Sequence, residues 1–170
     1  WASDGAWVVF LGLAVGGDAG FSSAYVNNCF SVFAVCGIVG PLLMGRLSDR
    51  IGRDRALAIA AAISVTASLL LTINAEPWSS IAVGLYGAGS FSVPILTAAA
   101  VRDHLDDRSF STAYGTITII YGIGSFSAAL LAGVIADWRD SFDLVYVLLG
   151  VLAAVSGITA LMRFRLLRIG

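Results

Sequence analysis

A short, highly charged stretch separates two long apolar segments and constrains the fold more than any other feature of the chain. Residues 45–55 carry six charged side chains in eleven positions, four of them arginine. Such a stretch cannot lie in hydrocarbon, whereas the apolar segments on either side can. We therefore predict a short, tightly turned loop at a membrane surface. The positive-inside rule places that loop in the cytoplasm.

Six apolar stretches approach the roughly 20 residues that a helix needs to cross about 30 Å of hydrocarbon. A composition of 58% apolar and 12% charged residues is also that of a polytopic membrane protein. The sequence therefore predicts an all-α integral membrane protein, with residues 1–170 forming one six-helix transmembrane bundle. We number the predicted spans one to six; they cover residues 1–17, 22–44, 55–73, 78–101, 109–135 and 142–164.

The positive charges fall almost entirely on one side of this six-span arrangement. The chain has ten arginines and no lysine, and nine of the ten lie on the side of the charged loop, with Arg139 on the other. A miscounted span would scatter these charges over both sides. We therefore predict a multi-pass protein of the cell membrane with both chain ends in the cytoplasm. The basic residues give no support for nucleic-acid binding.

The charged stretch also resembles a known signature, the cytoplasmic loop motif of the major facilitator superfamily. That motif reads G-x-L-x-D-R-x-G-R followed by two basic positions, and Asp54 departs from it by replacing a basic residue. The positions that match are Gly45, Leu47, Asp49, Arg50, Gly52, Arg53 and Arg55. The resemblance covers nearly the whole chain. It implies one half of a twelve-helix fold, in which two six-helix halves enclose the substrate site.

The resemblance favours the C-terminal half of such a transporter. The family's N-terminal half usually carries an arginine within its fourth helix, and residues 84–87 contain none. Span five, with Gly115, Gly122 and Gly124, resembles the family's eleventh helix. Because the chain starts at Trp1, we expect it to be part of a longer polypeptide and to need the other six-helix half as its partner.

By this resemblance, the loop motif would act as a conformational latch. Asp49 would face the positive N-terminal end of span five, where a carboxylate gains about 0.3 to 1 kcal/mol. Arg50 and Arg53 would hold the orientation of Asp49, and the latch would close the cytoplasmic ends of spans two and five in the outward-open state. A purely topological anchor is the alternative. The motif residues assigned to the latch are Gly45, Asp49, Arg50, Gly52, Arg53 and Arg55.

In the family, the first, second, fourth and fifth helices of each half line the substrate pathway. The polar residues on those spans are Asn27, Asn28, Tyr86, Ser90, Thr116, Thr118 and Tyr121. The two asparagines are the strongest of these, because an amide inside the membrane is costly unless it is paired. Hydrogen bonding between helices explains each residue at least as well as substrate contact.

Spans two to five carry no Asp, Glu, Lys, Arg or His in their interiors. Asp4 would serve as the coupling carboxylate if residues upstream of the chain place it deeper in the membrane. Otherwise ion coupling resides in the other half, or the protein is a uniporter. The lack of charge also favours neutral or amphipathic solutes.

The resemblance therefore predicts a secondary active transporter of a small solute that works by alternating access. The alternative is a non-transporting membrane subunit that only packs against partner helices. An enzyme is not expected, because Ser125 has no histidine or lysine on a neighbouring span to activate it. No cofactor or metal is predicted.

Overall fold

The computed structural model describes residue 7 and residues 21–73, 75–139 and 143–167. These residues form five α-helices, which correspond to predicted spans two to six. The all-helical architecture of this part of the chain confirms the predicted fold class. Asp4 and the rest of span one, apart from Trp7, lie outside the described residues. The helices are α1 (Ser23–Ile51), α2 (Arg53–Leu71), α3 (Trp78–Arg102), α4 (Asp107–Arg139) and α5 (Asp143–Leu167).

Four of the described helices are long and apolar enough to cross a membrane. They are α1, α2, α3 and, within α4, residues Arg108–Ile135. A shorter apolar stretch, Leu144–Thr159, lies in α5. At about 1.5 Å per residue, the 29 residues of α1 reach well beyond the roughly 30 Å of a hydrocarbon core.

The connection between α1 and α2 is much shorter than the predicted loop. Helix α1 does not end near residue 44 but continues to Ile51, and α2 begins at Arg53. Only Gly52 interrupts the helical path, with a φ of +94° that a residue bearing a side chain rarely adopts. The predicted loop is therefore wrong in length. Arginine is a good helix former, and a helix that leaves the hydrocarbon still satisfies its own backbone hydrogen bonds.

Helix α3 packs between α1 and α2, and α2 also packs against α5. The contact between α1 and α3 depends on glycines that let the two backbones approach closely. A Cβ atom added to Gly40 would lie 2.4 Å from the Cα of Ala88, and one added to Gly87 would lie 2.5 Å from the carbonyl oxygen of Phe33. Small residues at such contacts drive helix association in lipid, where hydrophobic burial contributes little.

A buried aromatic cluster forms the centre of the described bundle. The ring of Trp7 stacks on Tyr86 with centroids 3.9 Å apart, and it meets Tyr146 edge-on at 5.5 Å. The indole N–H of Trp7 donates a hydrogen bond to Ser68 Oγ at 3.2 Å. Because these partners belong to α3, α5 and α2, Trp7 contacts three helices at once.

Candidate functional site

A charged cluster forms where α1 ends, α2 begins and α3 ends. We call the side chains of Ser48, Asp49, Arg53 and Asp103 the Arg53 cluster. Ser48 and Asp49 lie in the last turn of α1. Arg53 is the first residue of α2, and Asp103 is the C-terminal cap of α3. Three helices therefore contribute to one polar site at the same end of the bundle.

Arg53 lies at the centre of this cluster and donates hydrogen bonds both to the end of α1 and to the end of α3. Its Nη1 donates to Asp49 Oδ1 at 2.7 Å and to Ser48 Oγ at 2.9 Å. Its Nε donates to Asp103 Oδ2 at 3.0 Å. The arginine side chain is 28% exposed, against 65% for Asp49 and 50% for Asp103. One guanidinium therefore joins the end of α1 to the end of α3.

The backbone at Gly52 makes this geometry available. The Gly52 N–H caps α1 by donating to the carbonyl oxygen of Ser48 at 2.9 Å, and the chain then reverses into α2. The reversal brings Arg53 back over the last turn of α1, four positions after Asp49 and five after Ser48. Each ion pair is partly exposed, so it contributes on the order of 1 kcal/mol or less. The cluster therefore matters more for orienting the carboxylates of Asp49 and Asp103 than for the stability that its ion pairs add.

Asp103 is a member of the site that the sequence did not reveal. Residues 102–108 were predicted only as a polar connection between two spans. The six-span prediction did contain one indication of this contact, because it placed the C-terminal end of α3 on the same side of the membrane as residues 45–55. Sequence alone could not say which of the three aspartates between positions 103 and 107 would reach Arg53.

The remaining residues of the loop motif lie around the Arg53 cluster without completing the predicted latch. Among the described residues, Arg53 is the side chain that bonds the Asp49 carboxylate, in place of the N-terminal end of α4. Arg53 bonds Asp49 as expected of the motif, and Arg50, which we also expect to orient Asp49, is exposed. Gly45 is helical, with open space around its Cα, and Arg55 is exposed in the first turn of α2.

The residues predicted to line the substrate pathway divide into two groups. Asn27 and Asn28 are exposed near the N-terminal end of α1, and Thr116 is exposed on α4, where its Oγ1 donates to the Thr112 carbonyl at 2.9 Å. Thr118 is likewise exposed and bonds its own helix, and Tyr121 is half-buried. These residues stay candidates for the pathway.

Tyr86 and Ser90 belong to the second group, which is buried within the described bundle, and their role in the pathway stays a prediction. Tyr86 is 1% exposed because Trp7 covers its ring, and Ser90 is 8% exposed. Both residues face the interior of the bundle. A span that is apolar on all sides does not reveal which face carries its few polar groups inward.

Comparison with known proteins gives a family match and several relatives. The model of the family described as Major Facilitator Superfamily matches residues 2–168. The chain is 38% identical over 93 residues to the multidrug resistance protein MdtL of Klebsiella pneumoniae strain 342, covering 54% of this chain and 24% of that protein. It is 29% identical over 131 residues to the gentisate transporter of Corynebacterium glutamicum, covering 76% of this chain and 29% of that protein. The matched stretches therefore span about a quarter of these relatives.

Proposed function

The chain belongs to the major facilitator superfamily, and from that premise we propose that it forms one six-helix half of a membrane transporter. The family match over residues 2–168 carries this proposal. It supports a transporter rather than an enzyme. In the proposed protein, this chain and a second six-helix half enclose the pathway and move a small solute by secondary active, alternating access. The resemblance of α4 to the family's eleventh helix favours the C-terminal half.

In this proposal, the Arg53 cluster is the cytoplasmic latch. Arg53 engages one oxygen of the Asp49 carboxylate, and the side chain stays 65% exposed. The second oxygen therefore remains accessible to another donor. The backbone N–H groups at the start of α4 are suitable donors, because the N-terminal end of a helix attracts negative charge.

The start of α4 lies within reach of the Arg53 cluster. Asp103 belongs to the cluster, and α4 begins at Asp107, four residues along the chain. Four residues span at most about 14 Å when fully extended. A movement of α4 toward Asp49 would close the latch, and its reversal would open the cytoplasmic end of the pathway. Arg53 acts in this scheme as a positioning residue.

We propose a neutral or amphipathic organic molecule as the solute. The exposed polar residues on the pathway helices, Asn27, Asn28 and Thr116, offer hydrogen bonds without charge. Apolar side chains surround them on both helices. The names of the two relatives refer to drugs and to gentisate, which supports a small organic solute but does not bear on its charge.

Transport by the full-length protein in proteoliposomes tests this function. We expect saturable uptake of at least one compound from a panel of gentisate and neutral drug-like molecules. Asp49→Asn should change the uptake rate severalfold, and Glu76→Gln, which removes the same charge from an exposed residue at the other end of the bundle, should not. Absence of uptake for the whole panel, together with native mass spectra that show the chain without a second six-helix unit, would instead favour a non-transporting subunit.

A further inference from the structure

Helix α4 meets the other described helices near its start and again in its later turns, and it stands clear of them in between. In the later part, Ala132 is 4% exposed and belongs to the buried core. In the middle, Ile119 and Ile123 are 66% and 64% exposed. A Cβ atom added to Gly115 or Gly122 would meet open space. Within the part of the chain that the structure describes, the position of the first turns of α4 therefore depends on contacts near its start.

Two aromatic side chains make those contacts with α3. Phe110 and Tyr114 are one turn apart on α4, and their rings stack with centroids 5.6 Å apart. The guanidinium carbon of Arg102 lies 5.9 Å from the centroid of the Phe110 ring, within the range of a cation–π contact. The hydroxyl of Tyr114 donates a hydrogen bond to the carbonyl oxygen of Pro94 at 3.4 Å. We call these three side chains and the Pro94 carbonyl the Tyr114 contact.

Helix α3, which supplies one side of the Tyr114 contact, also carries part of the Arg53 cluster. Asp103 caps α3 nine positions after Pro94, about 14 Å along the helix axis. A contact that holds α4 against α3 therefore also holds the start of α4 beside the Arg53 cluster. The two interactions differ in kind, because Arg53 and Asp103 form a partly exposed ion pair, whereas the Tyr114 hydroxyl and its acceptor are neutral. Salt screens the ion pair and has little effect on the neutral bond.

We propose that Tyr114 is a positioning residue for closure of the cytoplasmic end, because its bond to Pro94 holds the start of α4 next to the Arg53 cluster. The separation of 3.4 Å is longer than the value of about 2.7 to 2.8 Å that is usual for a hydroxyl donor, so the bond is weak enough to be released. When the end opens, water can bond to the hydroxyl and to the carbonyl in its place. The proposal rests on the proposed function, but it does not require that Asp49 bind the N–H groups of α4.

Tyr114→Phe tests this role, because it removes the hydroxyl and keeps the ring that stacks on Phe110. Single-molecule energy transfer between labels near the arginine-rich ends of α1 and α4 in the full-length protein measures the ratio of closed to open molecules. We expect Tyr114→Phe to lower that ratio about two- to threefold, as the loss of one weak hydrogen bond predicts. The change should be the same at low and at high ionic strength, since no charge is lost.

Tyr25→Phe is the matched control, because the Tyr25 hydroxyl accepts a hydrogen bond from Ser80 Oγ at 2.9 Å between α1 and α3, at the other end of the bundle. It removes the same group from a contact between helices, and we expect it to leave the ratio unchanged. Equal ratios in Tyr114→Phe, Tyr25→Phe and the unmodified protein would overturn the proposal. A shift from Tyr114→Phe that disappears at high ionic strength would also overturn it, because a charged interaction would then be the cause. Transport by Asp49→Asn reports separately on the proposed function.

Discussion

Replacing Asp103 by asparagine tests the role of the Arg53 cluster with little change in shape. Asparagine keeps the size of the side chain but removes the charge that Arg53 Nε meets at 3.0 Å. Without that anchor, the guanidinium is held to α1 alone and the orientation of Asp49 becomes less defined. We expect the closed state of the cytoplasmic end to lose population in favour of the inward-open state.

The size of the effect follows from the exposure of the pair. Arg53 is 28% and Asp103 is 50% exposed, so water screens the interaction and its contribution is about 0.5 to 1 kcal/mol. That free energy corresponds to a change of about two- to fivefold in the conformational equilibrium constant. Arg53→Gln removes the bonds to Asp49 and Ser48 as well, and we expect a shift of about five- to thirtyfold. Both effects should shrink at high ionic strength.

Single-molecule energy transfer between labels near the ends of α1 and α4 in the full-length protein would measure this equilibrium. Glu76→Gln is the control, because Glu76 is exposed, lies at the other end of the bundle and loses the same charge. If the closed-state population of Asp103→Asn equals that of Glu76→Gln and of the unmodified protein, the Arg53 cluster has no part in the transition.

Three further changes test the packing. Gly52→Ala should destabilise the protein by about 1 to 3 kcal/mol, because φ +94° with ψ 154° is a conformation that essentially only glycine adopts. Gly40→Ala should lower the free energy of unfolding by about 1 to 3 kcal/mol because its Cβ would clash with α3, whereas Gly45→Ala, with open space around it, should be neutral or stabilising. Thermal unfolding in detergent compares all three glycine variants. Equal melting temperatures would refute the explanations given for both Gly52 and Gly40. A double-mutant cycle of Trp7→Phe and Ser68→Ala should give a coupling of about 0.5 to 1.5 kcal/mol for their buried hydrogen bond, and a coupling near zero would exclude that bond.

Length and apolar composition are what a sequence offers for predicting helices that cross a membrane. The five described helices overlap predicted spans two to six, and the charged stretch does lie at a helix boundary. Its internal structure was less predictable. Charge density says that residues 45–55 leave the hydrocarbon, but it does not say whether they stay helical. The helix is interrupted only at Gly52, and the positive φ of that residue is a property of the folded backbone that the sequence does not state.

The candidate site was only partly predictable for a related reason. The loop motif identified Asp49 and Arg53, which are local in sequence. Asp103 joins them across 50 residues, and such a pairing depends on the packing of α1 against α3. Tyr86 shows the same limit, because a tyrosine in an apolar span can line a pathway or stack in the core. In the described residues its ring stacks on Trp7, a contact that the sequence does not reveal.

The arginine-rich end of the bundle should lie in the cytoplasm, and accessibility to a membrane-impermeant maleimide in intact cells measures that orientation. Cys29→Ala and Cys36→Ala remove the native thiols, and single cysteines are then introduced as Arg50→Cys and Glu76→Cys, both at exposed positions. We expect Glu76→Cys to be labelled from outside and Arg50→Cys to be labelled only after the membrane is permeabilised. Labelling of Arg50→Cys in intact cells would overturn the proposed orientation.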